Sequence, residues 1–368
     1  MNTNYLTNLG SLEKPSDIID LGVIQVDSDC PTQLSDVLVN ALKYPFNSYS
    51  PPAGLPHVRR QVASGLIGDF NASSLIMTSG ASGAFLSFIL SHIENKHECR
   101  IALPDPGYPG FAGVCRRLGI KIDRYKVNGS RIDLDSFNNA LFPNTVAAIL
   151  ISPGNPTGRV LDSNDLSQAE SLAAGQEIPV LLDLSYLHLV SDFQNVPVLA
   201  FLDERSVQIY SFSKAFALSG FRSGALVANT KYAEIYAKTH FSALLSAPTI
   251  GQLLAARCVQ SDVRKGYLDN TRDRLKQRYD ELTLRLSGID GVTVDVSDIG
   301  LFAWIRLPQN AAVVADLLRK QGFVVVPGYA FGERNDQHIR VLSDVNSMVQ
   351  SQFVRALRTS IQEASGNE

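Results

Sequence analysis

The sequence carries no marked excess of charge: 33 Lys and Arg stand against 36 Asp and Glu, for a net charge of −3. That balance argues against a nucleic-acid surface or a polybasic membrane anchor. No apolar run reaches the ~20 residues that a membrane span needs. The four cysteines, Cys30, Cys99, Cys115 and Cys258, are far apart and show no C-x-x-C spacing. Free buried thiols in a reducing compartment are therefore expected, rather than disulfides or a metal site. The opening Met1-Asn2-Thr3-Asn4 lacks the basic start and apolar stretch of a signal peptide, so a cytoplasmic location is expected. Repeats and low-complexity tracts are missing as well. What remains is ordinary globular material: 368 residues, 45% hydrophobic and 19% charged. This is enough for two domains, or one with an appendage, and for a core needing no disulfide or metal.

Short apolar runs alternate with longer amphipathic stretches. Strands are predicted at 74–78, 100–103, 121–125, 146–152, 179–184 and 207–211, with helices such as 83–93 and 164–174 between them. Continuous apolar strands alternating with helices imply an α/β protein with a mostly parallel sheet covered on both faces. From about residue 250 the pattern changes. A long helical stretch over 249–286 precedes strands at 292–296, 301–307, 323–326 and 338–341, and helices at 311–321 and 347–364. The expected organisation is an N-terminal segment (1–47) packed on the smaller domain, a large domain (48–249) and a smaller α/β domain (250–368).

Chemistry concentrates at strand ends. Tyr210-Ser211-Phe212-Ser213-Lys214 closes a buried strand, and Arg222 follows in Gly220-Phe221-Arg222. Desolvation keeps a lysine amine neutral and nucleophilic. The hydroxyls of Ser211 and Ser213 and the Arg222 guanidinium suit a phosphate dianion. A lysine beside a phosphate cradle is the arrangement that pyridoxal 5'-phosphate requires, although a solvated lysine after a strand would look the same. Leu181-Leu182-Asp183-Leu184-Ser185-Tyr186 offers a strand-end carboxylate able to pair with a pyridinium nitrogen, or simply to cap a turn. Asn155, in Ser152-Pro153-Gly154-Asn155-Pro156-Thr157-Gly158, and Tyr186 can donate to a phenolic oxygen. Gly80, Ala81 and Ser82 open a helix whose N–H groups suit phosphate. Tyr108, in Pro106-Gly107-Tyr108-Pro109, can stack on a planar ring. Arg340, in His338-Ile339-Arg340-Val341, can clamp a carboxylate in bidentate fashion.

Each piece alone is weak, but the ordered set resembles the class I/II aminotransferases, the fold type I pyridoxal-phosphate enzymes, from about Asp20 to the C-terminus. Tyr49, Gly54 and Arg59 look like that family's Y-x-x-x-x-G-x-x-x-L-R segment. The resemblance implies that Lys214 is the Schiff-base lysine and proton shuttle, and that Asp183 pairs with the pyridine nitrogen. It puts Asn155 and Tyr186 at the phenolic oxygen and Tyr108 on the ring. Gly80, Ala81, Ser82, Ser211, Ser213 and Arg222 fall to the phosphate, and Arg340 to the substrate α-carboxylate. It further implies a homodimer with shared sites, in which Tyr49 reaches the partner's phosphate.

Departures fall on the substrate side. The family's L-G-x-G-x-P-D reads here Leu21-Gly22-Val23-Ile24-Gln25-Val26-Asp27, so Ile24 replaces a glycine next to the substrate carboxylate and Val26 a proline. The family's D-E-x-Y has lost its acidic second residue to Leu184. The expected activity is exchange of an amino group between an amino acid and a 2-oxo acid. The alternative is β/γ-elimination, replacement or cyclisation on an arginine-derived substrate, as in capreomycidine synthase, which resembles the same family. A pyridoxal-phosphate-binding transcription regulator is disfavoured, because only about 20 residues precede the matched region.

Overall fold

The computed structural model describes residues 18–24, 26, 29–41, 48–66, 70–93 and 98–366. The chain begins with strand β1 (Ile19–Asp20) and helices α1 (Ser35–Ala41) and α2 (Pro56–Ala63). The central unit follows: β2 (Leu75–Thr78), α3 (Gly80–Ile93), β3 (Arg100–Asp105), α4 (Pro109–Arg117), β4 (Lys121–Asn128), β5 (Arg131–Ile132) and α5 (Leu134–Asn139). It continues through β6 (Thr145–Ile151), α6 (Ser163–Ala174), β7 (Val180–Asp183), β8 (Val207–Ser211), β9 (Gly224–Ala228) and α7 (Thr230–Leu244). The eight strands β2 to β9 form one sheet in the order β2-β9-β8-β7-β6-β3-β4-β5. Every residue of β6, β7, β8 and β9 is buried, which explains their near-continuous apolar sequence.

From β8 across to β4 the strands are parallel. β9 is antiparallel to both β2 and β8, so β2 runs in the same direction as β8. The carboxyl ends of β2, β3, β6, β7 and β8 therefore share one edge, where open α/β sheets bind ligands. The register aligns Ile151 with Asp183, and Thr78 and Ser211 with Gly224. Gly224 permits this close fit, because a Cβ there would lie 2.6 Å from the carbonyl carbon of Gly80. Helix starts follow the sequence: Asp133, Asp162 and Asn229 accept backbone N–H groups at the first turns of α5, α6 and α7.

The C-terminal part holds α8 (Thr249–Cys258), α9 (Ser261–Leu286), β10 (Thr293–Val294), β11 (Phe302–Arg306) and α10 (Ala311–Lys320). Then come β12 (Phe323–Val324), β13 (Val326–Pro327), β14 (His338–Leu342) and α11 (Ser347–Ser365). An antiparallel four-stranded sheet runs β10-β11-β14-β13. β1 pairs in parallel with β12, tying the N-terminal segment to this part of the chain. Cys30 is half-buried and Cys99, Cys115 and Cys258 are buried, and all four are free.

Three details depart from the sequence expectation. The helical stretch 249–286 is two helices, because Gln260 adopts an extended backbone (φ −69°, ψ 140°) before α9. The run 323–326 divides between β12 and β13, which join different sheets. β9 and α7 were not predicted at all. Gly224-Ala225-Leu226-Val227-Ala228 opens on glycine and holds a single β-branched residue, too weak a signal to announce a central strand.

Candidate active site

A cavity of about 440 Å³ opens where the strand ends meet. Its phosphate-like corner is built from donors. Helix α3 begins there at Gly80, so the free N–H groups of its first turn and its positive dipole end face inward. Ala81, Ser82, Ser211, Ser213 and Arg222 line the same space. Arg222 takes a left-handed backbone (φ 50°, ψ 55°), and its Nη1 donates to the Ser219 carbonyl at 3.0 Å. That posture lays its Nη2 over Gly80, where a Cβ would come within 2.9 Å of it. Gly80 is favoured there by its positive φ (+74°), and the absent Cβ leaves room for the guanidinium to lie close to the helix start. Among the described residues no carboxylate lines this corner, so the donor set fits a phosphate dianion.

The opposite wall carries Asp183, at the end of β7 and 5% exposed. Burial pushes its carboxyl up to about 6, while the Ser185 hydroxyl and N–H, both donating to Oδ1, pull it down. Its Oδ2 has no hydrogen-bond partner among the described residues, and no cation lies within ion-pair distance of it there. A buried carboxylate without a cation is costly. A protonated ring nitrogen would supply that missing partner, so the carboxylate suits a pyridine cofactor.

Between these two ends runs a polar chain. Tyr186, buried beside Phe302, accepts from Asn155 Nδ2 at 3.2 Å. Asn155 Oδ1 in turn accepts from Arg340 Nη1 at 2.9 Å, and Arg340 Nη2 donates to the Gly22 carbonyl. The Arg340 guanidinium lies 5.1 Å from the Phe331 ring centroid and 5.6 Å from that of Phe302. Burial lowers its pKa to about 10, with Tyr186 and Tyr108 acting in the opposite direction, so it remains a cation at neutral pH. Its Nε is buried and unpartnered. A buried donor left open in this way costs free energy unless an acceptor arrives. Burial likewise raises the Tyr108 phenol, and nearby Asp183 raises it further.

Lys214 reaches into the centre. Its Nζ donates to the Ile24 carbonyl and lies 3.4 Å from Ser219 Oγ. Burial, then Arg222 and Arg340, lowers its pKa to about 8. About a tenth of the amine is therefore neutral at pH 7, far more than for an ordinary lysine, and the neutral form is the one that attacks a carbonyl.

Of the residues singled out from sequence, Ile24, Ala81, Ser82, Tyr108, Asn155, Asp183, Tyr186, Ser211, Ser213, Lys214, Arg222 and Arg340 all line this one cavity. Gly80 lies directly beneath Arg222. Tyr49 does not join them: it is 73% exposed and lies outside the cavity lining. Arg59 is also elsewhere, donating to the carbonyls of Leu75 and Ala72. Gln25 and Asp27 of the departing segment lie outside the described residues. Gly22, Val23, Pro109, Phe111, Ser185, Val326 and Phe331 line the site without having been singled out as site residues. Only Ser185 left a sequence trace, because an Asp two residues before a Ser favours an Asx turn.

Fold and site together define a pyridoxal-phosphate-dependent enzyme. Residues 16–357 match the sequence model of the family described as "Aminotransferase class I and II", and the chain belongs to that family. It is 25% identical to an aspartate aminotransferase of Pyrococcus horikoshii, over 89% of this chain and 86% of that protein. It is 26% identical to aromatic-amino-acid aminotransferase 2 of Thermococcus litoralis, over 88% and 86% respectively. Among solved structures, a Pyrococcus protein named A1 superposes with a TM-score of 0.87 at 22% identity, covering 98% of this chain and 96% of that one. No helix among the described residues is long and apolar enough to cross a membrane.

The bound cofactor supplies an electron sink for the Cα carbanion of an amino acid. The donor corner, the partnerless Asp183 oxygen and the partly neutral Lys214 amine are the features here that fit it.

Proposed function

We propose that Lys214 carries the cofactor and moves the proton at Cα. Asp183 holds the ring nitrogen protonated, and Asn155 and Tyr186 contact the phenolic oxygen. Tyr108 stacks on the ring, and Gly80, Ala81, Ser82, Ser211, Ser213 and Arg222 hold the phosphate. Arg340 binds the α-carboxylate of the substrate, and Ile24 shapes the wall beside it. The observation that carries this assignment is the placing of Arg340. A buried, cavity-lining guanidinium with an open Nε shares one space with the Lys214 amine and the Asp183 carboxylate. An amino acid anchored there by its carboxylate presents Cα to the lysine.

The reaction we assign is exchange of the amino group with a 2-oxo acid. The test is a panel of amino acids, including arginine and hydroxylated arginines, incubated with and without 2-oxoglutarate and read by mass spectrometry. Turnover beyond one equivalent per site is expected only when the 2-oxo acid is present, with ¹⁵N from the donor appearing in the acceptor. Consumption of an amino acid without any acceptor, accompanied by loss of water, would assign elimination or cyclisation instead.

We also propose a cytoplasmic homodimer, divided into 1–47, 48–249 and 250–368, in which Tyr49 serves the partner's phosphate site. The support is that Tyr49 is 73% exposed and away from its own cavity. Light scattering on the purified protein should give twice the chain mass, and Tyr49→Phe should weaken cofactor retention. A monomer with full retention would remove this assignment.

A further inference from the structure

Asp105 ends β3 outside the cavity, yet it is 3% exposed and its carboxylate is bonded to a loop from the other part of the chain. Asn335 Nδ2 donates to Oδ1 at 2.8 Å and the Glu333 N–H donates to Oδ2 at 3.0 Å. Arg334 adds a weaker contact, with Nε 3.9 Å from Oδ2. The fit has no slack: a Cβ on Gly332 would sit 1.8 Å from Oδ1, and one on Gly328 would sit 1.9 Å from the Asn335 carbonyl oxygen. Two further ties reach the same loop. The Gly107 N–H donates to the Phe331 carbonyl at 2.9 Å, and Arg124 Nη1 donates to the same carbonyl at 3.4 Å.

Both ends of this clamp lead to the site. On one side, Asp105 is three residues before Tyr108. On the other, the gripped loop begins at Phe331, whose ring faces the Arg340 guanidinium, and it leads directly into β14, which carries Arg340. We propose that Asp105 is a positioning residue: by gripping Gly332 to Asn335, it sets Phe331 and Arg340 in place and so tunes the carboxylate site. The inference rests on the assignment of Arg340 to the substrate carboxylate. A carboxylate is suited to the task because it accepts from two donors at once, whereas an amide in its place turns one end into a donor facing another donor.

A reporter is built in. Trp304 is the chain's only tryptophan, is buried, and packs edge-on to Phe331 with centroids 5.4 Å apart. In the holoenzyme, Asp105→Asn should raise KM for the amino acid about tenfold, the scale of one lost cation–ring contact. Turnover should stay within about twofold, since no group acting on Cα is touched. Trp304 emission should shift to the red as Phe331 loosens. Gly332→Ala, which keeps the carboxylate but pushes a methyl into it, should do the same, and it carries the test alone if Asp105→Asn does not fold. Measured against the single variants Asp105→Ala and Gly332→Ala, the two effects should not multiply in Asp105→Ala/Gly332→Ala, because the clash requires the carboxylate.

An unchanged KM, equal losses in kcat and kcat/KM, or multiplying effects in the double variant would each overturn the inference. Arg340→Ala is measured in parallel. If it raises KM and Asp105→Asn does not, only the Asp105 inference fails. If Arg340→Ala itself leaves KM unchanged, the carboxylate assignment fails and this inference with it.

Discussion

Replacing Lys214 with alanine should lower turnover by about 10⁴-fold or more, the upper range for removing a positioned acid–base group, with loss of the covalent anchor added. Borohydride should fix the cofactor on Lys214 of the native protein and leave it extractable from the variant. The reason lies in what surrounds the amine. Nζ is held by the Ile24 carbonyl and lies near Ser219, with Arg222 and Arg340 close enough to disfavour its charge. Among the described residues, no other lysine lines the cavity. The sign of the pH dependence follows. The amine titrates at about 8, below the ordinary value of 10.5. In cofactor-free protein, its reaction with an aldehyde probe should therefore accelerate as pH rises through about 8 and level off above it. A rate still climbing at pH 10 would mean an ordinary solvated lysine. A Lys214→Ala protein that forms the same reducible linkage would place the anchor on another residue.

The sequence revealed those parts of the site whose signal is local. Asp183, Asn155 and Lys214 each follow a continuous apolar run, and such runs belong to covered parallel strands, so their carboxyl ends could be expected on one edge. β9 gave no such signal, although it brings Gly224 against the start of α3 and fixes the distance between Gly80 and Ser211. The break at Gln260 was equally silent, since polar and apolar residues keep a helical rhythm on both sides of it. Least legible were contacts between distant segments. The carbonyls of Gly22 and Ile24 hold Arg340 and Lys214, and a backbone acceptor has no sequence signature. Ile24 stood out only as a departure from the family pattern. Its carbonyl turns out to accept from the Lys214 amine, and the residue lines the cavity. Asp105, between two prolines in Pro104-Asp105-Pro106, looks like any turn residue, because its partners lie in a loop that only the fold brings near.

Arg340→Ala should raise KM for the amino acid by roughly 30- to 700-fold, corresponding to about 2–4 kcal/mol for truncating one partner of a buried, hydrogen-bonded charge pair. Three features of the structure set that scale. The guanidinium is 5% exposed, so its interaction with a carboxylate is little screened by water. Asn155 and the Gly22 carbonyl already hold Nη1 and Nη2, so little conformational freedom is lost when substrate arrives. Phe302 and Phe331 flank the cation and keep water from competing. Arg340→Lys should recover little, because an ammonium cannot span Asn155 and Gly22 while offering a second planar donor pair to the carboxylate. Cofactor content should be preserved in both variants, since Arg340 bonds Asn155 but none of Ser211, Ser213 or Arg222. If KM stayed within about threefold of the native value, a partner as strong as this one could not be the carboxylate anchor. Arg340 would then be a buttress for Asn155, and the substrate would have to be held from the side of Ile24.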